Sequence, residues 1–393
     1  MQDAPGLRDL LRRHDLSPAV LAHVDRGRLA QLRGVSRGVR ANVDAVRGAR
    51  VVELNAGWFA GLDGTAAEKR EEVVQRLGAL VATGAVIKEL ALPGAGLDGT
   101  EAALLAALTP ALVRLDLRGN GVGVAGVRLL AEALWAHGAL RELDLSNNRI
   151  NVQETAAGAV ETNLGSLRLA ALLGRLPLTH LYLRGCGLGR PHGAHLALLW
   201  MCPTLTHVDL GMNWRLPVAA LAPALGQLRA LTHLELGGMR IRGTAGVASL
   251  AAALPACQAL EYVSLARGDT EENFSLLTPV WPQLPALAYL NLHSHCGSDA
   301  DVAGLARALP RCGALRELVL SMNEVGDLAR AALLAALPLC PRLERLDARD
   351  AVYTEYDGDW WPLTGAQAAE LEAAWAPRAA DGLQIADRIG GAD

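Results

Sequence analysis

Three histidines carry the spacing most suggestive of chemistry, because they end three consecutive copies of one tripeptide: Leu178-Thr179-His180, Leu205-Thr206-His207 and Leu231-Thr232-His233. Asp209 and Glu235 stand two residues beyond the second and third. Imidazole with carboxylate is a zinc donor set, and imidazole alone changes charge near neutral pH. Arrangement decides between these uses. Copies on neighbouring strands of one sheet stand about 4.8 Å apart in a straight row, and three ligands in a row do not surround one ion. No metal and no cofactor is therefore expected. Stacked imidazoles resist being charged together, so binding by the row is expected to vary with pH between about 5.5 and 8. The run His293-Ser294-His295-Cys296 also has metal-ligating types, but the spacing sends His293 to a rim and His295 inward, to different surfaces. The chain has no glycine-rich phosphate loop ending in Lys-Ser or Lys-Thr, no Gly-x-Ser-x-Gly, no His-Glu-x-x-His and no Cys-x-x-Cys. No catalytic residue is assigned, and the protein is expected not to be an enzyme.

The elements that must position these residues come from a recurring Leu-x-x-Leu-x-Leu. Clear copies start at Leu112 and Leu140, with others at Ile87, Leu178, Leu205, Leu231, Leu260, Leu287, Leu315 and Leu343. Successive starts lie 25 to 29 residues apart, except for one step of 38. A fixed period in this range means stacked supersecondary units, none of which buries its apolar face alone. In the copy at 112, Leu115 and Leu117 alternate with polar residues and form the inward row of a short strand. Asn120 follows, and its amide can bond backbone groups of the neighbouring coil. Asn148, Asn213 and Asn323 share that register, while Ala95, Cys186, Met239, Gly268 and His295 replace it elsewhere. The period then becomes helical: Val127, Leu130 and Leu134 share one face, and 246–254 is a similar, alanine-rich stretch.

Strand, turn and helix in about 28 residues resemble the ribonuclease-inhibitor class of leucine-rich repeats. The resemblance covers roughly 51–350. It implies an α/β solenoid, a horseshoe with a parallel inner sheet and outer helices, of about ten to eleven repeats after a small helical N-terminal segment. The concave face would then bear the residues before and between the last two leucines. Its centre, at His180, Tyr182, His207, Asp209, His233, Glu235, Tyr262 and Tyr289, is the expected contact surface for a protein partner, because tyrosine anchors in a polar surround suit such a face.

Charge and composition narrow the partners. The net charge is −4, yet residues 1–50 hold ten Arg against five Asp, leaving −9 for the remainder. A small basic head on a weakly acidic body does not fit a nucleic-acid binder. No apolar run reaches membrane-spanning length, and charged residues from Asp3 to Arg13 do not fit a secretory signal. The expected location is the cytoplasm, or the nucleus. Cys202, Cys257, Cys312 and Cys340 share one register just before a strand, where small buried hydrophobes are expected.

Residues 1–50 lack the repeat. Leu29, Leu32, Val35 and Val39 form an apolar helical stripe, preceded by Leu16-Ser17-Pro18 and Asp25 and accompanied by Ser36, Arg37 and Arg40. Together these resemble an F-box, which implies docking of a cullin-ligase adaptor subunit through Leu29, Leu32, Val35 and Val39. A helical cap over the first coil is the alternative. Thr65-Ala66-Ala67-Glu68 reads as a capping box opening a helix with Val73, Val74, Leu77 and Leu80. The step of 38 residues places an exposed loop at 151–166, and a second, acidic loop is expected at 268–273. Residues 351–393 form a C-terminal cap with a helix carrying Leu371 and Trp375, then a tail expected to fray from Ala379. The domains are thus 1–50, 51–350 and 351–393. The expected function is a protein-interaction scaffold, and the F-box resemblance makes it the substrate receptor of a cullin-type ubiquitin ligase. Two alternatives are a GTPase-activating regulator, by resemblance to Ran GTPase-activating proteins with Arg118 as the rim arginine, and a sensor-type array without ligase link.

Overall fold

The computed structural model describes residues 86–97, most of 109–189 and 202–348, and shorter pieces at 51–54, 101–102, 352–354, 360–362, 365–375 and 383–384, with residues 72, 73 and 75. Leu29, Leu32, Val35 and Val39 lie outside the described residues, as does the acidic stretch 269–273. Two compact units divide between Leu178 and Thr179, and each is taken by itself.

In the first unit, four strands lie parallel in chain order: β1 (Val51–Leu54), β2 (Val86–Ala91), β3 (Arg114–Asp116) and β4 (Glu142–Asp144). The strands are short because alternation lasts only through the Leu-x-Leu core. Leu115, Leu117, Leu143 and Leu145 are buried on one side. Helix α1 (Val124–Leu134) turns Val127, Leu130 and Leu134 inward, as their spacing requires, and packs on α2 (Leu164–Leu173). The extra residues at 151–166 do not form the expected irregular loop. They fold as an antiparallel hairpin of β5 (Val152–Thr155) and β6 (Gly158–Glu161). Only two residues separate these strands, and a chain that turns back so tightly satisfies its backbone groups across a ladder instead of in water. The return to α2 is close: a Cβ at Gly165 would stand 1.8 Å from the Ile150 carbonyl oxygen, which excludes any larger residue without a backbone shift.

In the second unit, seven parallel strands follow the repeat. They are β7 (His180–Tyr182), β8 (His207–Asp209), β9 (His233–Glu235), β10 (Tyr262–Ser264), β11 (Tyr289–Asn291), β12 (Glu317–Val319) and β13 (Arg345–Asp347). Helices α3 (Val218–Leu225), α4 (Thr244–Ala253), α5 (Asp299–Ala308) and α6 (Asp327–Ala336) occupy the second halves of repeats. α3 packs on α4 and α5 on α6. The Asp299 carboxylate joins the last pair by accepting from Leu328 N–H at 3.1 Å and Ala329 N–H at 2.7 Å, so a residue of one repeat caps the next helix.

Two places in the second unit also depart from what the repeat pattern predicts. The repeat from Leu260 has no α-helix among its described residues. It uses two 3₁₀ turns, Phe274–Leu276 and Trp281–Gln283, whose Phe274 and Trp281 fill the core in place of a helix face. Pro279 and Pro282 lack the N–H groups that a continuous helix would need. Beyond the array, β14 (Val352–Thr354) and β15 (Trp360–Pro362) form a hairpin, and α7 (Gly365–Trp375) buries Leu371 and Trp375. Within the tail expected to fray, β16 (Leu383–Gln384) instead pairs in parallel with Leu346 and Asp347 of β13. Without β16 the outer edge of β13 would be unpaired, and such an edge offers backbone partners to any extended segment that reaches it.

Asparagines tie neighbouring coils as the register predicts. Asn120 accepts from Leu97 N–H at 2.9 Å and donates to the Leu92 and Leu117 carbonyls at 2.9 and 2.8 Å. Asn148 and Asn323 repeat the pattern. At His295 an imidazole takes the amide's place in the register, in a space that exists because the preceding coil has Gly268, where a Cβ would stand 2.0 Å from the ring Nδ1. The residue before each ladder position takes a left-handed backbone. Gly119 does so without steric cost. Met212 (φ 57°) and Met322 (φ 60°) do so at a cost of about 1 kcal/mol each.

Candidate binding surface

Alternation buries Leu181, Val208, Leu234, Val263 and Leu290, at 0 to 2% exposure. It leaves their neighbours in sequence on the opposite, polar face. The pairing register aligns His180, His207, His233, Tyr262 and Tyr289 as one row, with Tyr182, Asp209, Glu235, Ser264 and Asn291 as the row beside it. All eight residues expected at the contact centre thus stand on one face of the second unit, and each is partly exposed.

The first row is a continuous stack. Ring centroids of His180 and His207, and of His207 and His233, are 4.0 Å apart with interplanar angles of 16° and 14°. His233 continues to Tyr262 at 5.6 Å, and Tyr262 to Tyr289 at 4.4 Å and 4°. Neighbours cover the ring faces, so the ring edges face outward.

The threonine of each Leu-Thr-His copy fixes its imidazole, a role that the sequence reading missed. Thr206 donates its hydroxyl proton to the Thr179 carbonyl at 3.1 Å, and Thr232 to the Thr206 carbonyl at 3.0 Å. Each hydroxyl oxygen is thereby left to accept, and the Nδ1 atoms of His207 and His233 lie 2.9 Å from them. Nδ1 must carry the proton. A neutral imidazole has one N–H, so Nε2 of both rings carries a lone pair. His180 makes the same contact with Thr179 at 2.8 Å.

Burial, then the neighbouring His233 and His180, pushes the pKa of His207 down to about 4. Burial also lowers His233, partly offset by Glu261. The expected titration between about 5.5 and 8 is therefore displaced downward for the central ring, because a charged imidazole there loses water and faces two like neighbours. Between about pH 6.5 and 4 the unfolded chain takes a proton on this residue and the folded chain does not. Stability is expected to fall as pH drops through that interval, and His207→Asn is expected to flatten the fall. Urea unfolding midpoints from pH 7 to 4 measure both, and equal slopes would contradict this.

In the second row, Asp209 accepts from Gly211 N–H at 2.8 Å. Glu235 accepts from Gly237 N–H at 2.6 Å and from the Tyr262 hydroxyl at 3.3 Å. Burial and the nearby Glu235 raise the pKa of Tyr262, so its phenol stays protonated. The turn beyond β8 exposes Met212 and Trp214, and the turn beyond β12 exposes Met322, each more than 40% accessible. These apolar side chains escaped the sequence reading because the repeat pattern gives that turn no polarity rule.

The other candidates are dispersed. His293 bonds the Ser321 hydroxyl at 2.9 Å, whereas His295 is buried with its pKa lowered to about 3. Among the described residues no group of three or more His, Cys, Asp or Glu is arranged to hold a metal ion. In the first unit, Arg118 bonds Asp116 at 2.8 Å and lies 3.7 Å from Asp144, so its guanidinium is engaged by carboxylates of its own sheet. Cys186, Cys202, Cys257, Cys312 and Cys340 are buried thiols, and burial raises Cys202 and Cys257 to about 11 and Cys312 to about 12. Among the described residues no helix is long and apolar enough to cross a membrane.

Two family models match the chain, one described as Leucine Rich repeat over residues 110–131 and one as Leucine Rich Repeat over 139–157. The Tonsoku-like protein of Mus musculus is 33% identical over 269 residues, which is 64% of this chain and 17% of that protein. The Tonsoku-like protein of Bos taurus is 32% identical over 305 residues, 73% of this chain and 19% of that protein. The chain thus spans under a fifth of the length of these curated relatives. Among solved structures, an LRR protein of Leptospira interrogans matches with 17% identity and a TM-score of 0.41, covering 70% of this chain and 68% of that one. With parallel strands in the register of the repeat and asparagines bonded between coils, the chain is an α/β solenoid of leucine-rich repeats.

Proposed function

We propose that the polar face of β7 to β12 docks another protein and that the chain is a non-catalytic interaction scaffold. The carrying observation is the partly exposed row of stacked imidazoles and phenols, flanked by Asp209 and Glu235 and edged by Met212, Trp214 and Met322. Rigid aromatic side chains already held in place lose little entropy on binding, which is why such residues anchor protein interfaces. The matched stretch is a small part of the Tonsoku-like proteins, in keeping with a repeat array that serves as one module. The proposal includes membership of the ribonuclease-inhibitor class and a reducing, intracellular setting in which the five buried cysteines stay thiols.

In its finer form, residues 1–50 act as an F-box-like segment and the array is the substrate receptor of a cullin-type ligase. Support for this comes from the sequence alone: the stripe Leu29, Leu32, Val35 and Val39 with Leu16-Ser17-Pro18, Asp25, Ser36, Arg37 and Arg40. A pull-down with purified cullin-ligase adaptor subunit tests it. Retention by the full chain, lost in Leu32→Asp/Val35→Asp, is the expected result. No retention by the unaltered chain removes the ligase role and leaves the docking face standing.

A further inference from the structure

We propose that the strip formed by His207, His233, Tyr262, Asp209 and Glu235 takes an arginine-bearing segment of a protein partner, whose guanidinium groups donate to the imidazole Nε2 atoms and the two carboxylates. This rests on the polar face being a docking surface and adds the charge and donor pattern of its occupant.

Three observations converge on that pattern. First, the threonine relay leaves Nε2 of His207 and His233 as lone-pair acceptors, and the stack turns ring edges outward instead of faces. Second, the carboxylates of Asp209 and Glu235 sit beside these rings in the next row, on the same strands. Third, the outward positions of β7 to β11 include no Arg or Lys. Arg184, beyond its strand, reaches Gly211, and Asp209 Oδ1 borders the same space, so this guanidinium offsets part of the Asp209 charge and Glu235 carries the strip's net negative charge. The strip is thus rich in acceptors and negative in charge, and a partner that matches it must bring donors and positive charge. Neutral imidazole is essential to this match, since a protonated ring would add a donor and a like charge against a guanidinium.

Arginine fits better than lysine. Acceptors on successive strands stand about 4.8 Å apart, and a guanidinium offers five N–H donors in one plane, diverging enough to bridge two of them. An ammonium is a point charge that serves the carboxylates as well as arginine does but spans the ring edges poorly. A chain bearing several arginines would place successive guanidiniums along the row.

Fluorescence anisotropy of labelled hexa-arginine, hexa-lysine and hexa-glutamate peptides with the full chain tests the assignment. Hexa-arginine is expected to bind about five-fold or more tighter than hexa-lysine, and hexa-glutamate not at all. Asp209→Asn/Glu235→Gln is expected to weaken hexa-arginine about ten-fold or more. His207→Phe/His233→Phe keeps the stack and the net charge but removes both acceptors, and is expected to cost about five-fold or more. Glu132→Gln/Glu344→Gln, which lowers negative charge elsewhere, is expected to change affinity less than two-fold or so. Far-UV circular dichroism checks that each variant folds, and His207→Gln supplies a second acceptor test should the phenylalanine pair misfold. Equal affinity for arginine and lysine peptides with no effect of either histidine change would overturn the proposal, as would no binding of hexa-arginine. If a natural partner protects the strip while hexa-arginine fails to bind, the arginine assignment is wrong and the docking face survives. If neither engages the strip, both fall.

Discussion

Replacing Asn213 by alanine is expected to lower the stability of the second unit by about 4 kcal/mol. The Asn213 side chain is 1% exposed and makes its four shortest bonds to backbone groups of two coils. Its Oδ1 accepts from Cys186 and Leu188 N–H, both at 3.0 Å. Its Nδ2 donates to the Leu183 and Leu210 carbonyls, both at 2.8 Å. Alanine leaves these groups without the amide in a place that water reaches poorly. An orphaned buried group costs about 1–3 kcal/mol, and relaxation keeps the total below the sum of four such penalties. In a stack, each coil is stabilised by its neighbours, so the damage should appear as a lower urea midpoint with a broadened or split transition. An unchanged midpoint would show that the ladder does not hold the coils together.

The second large effect concerns binding. Tyr262→Ala/Tyr289→Ala is expected to weaken the chain's protein partner about 100-fold, that is by about 3 kcal/mol, because paired aromatic anchors carry interface energy out of proportion to their area. Leu328→Ala/Leu339→Ala removes two side chains that are more exposed still, at 57% and 62%, yet it is expected to leave affinity within about two-fold, since neither lies on the strand face. Calorimetry with a partner recovered by crosslinking gives both numbers. Loss of affinity in the leucine variant alone would move the interface to the other side of the repeat.

Much of this surface is legible in the sequence because strand geometry leaves little freedom. Once Leu178, Leu181 and Leu183 are read as inward, His180 and Tyr182 have nowhere to point but the other face, and the same logic places every residue of both rows. The asparagine ladder is equally legible, since an amide is needed where a turn exposes backbone to the next coil. What escaped depends on contacts between repeats. The tripeptide Leu-Thr-His reads as a copied unit, and nothing within one copy shows that Thr206 bonds the previous Thr179 and so fixes the proton on His207. The hairpin at 152–161 reads Val-Gln-Glu-Thr-Ala-Ala-Gly-Ala-Val-Glu, which has no sustained alternation of apolar and polar residues to signal strands. The strand at Leu383–Gln384 exists because β13 leaves an edge to cover, which no property of those two residues announces. Phe274 and Trp281 replace a helix through prolines that read locally as a loop.

Hydroxyl-radical footprinting of the chain with and without its bound protein partner tests the central claim most directly. The docking account predicts that Tyr262, Tyr289 and His207 lose reactivity in the complex while Leu328 and Leu339 keep theirs. Protection confined to Leu328 and Leu339, with both tyrosines as reactive as in the chain alone, would contradict it.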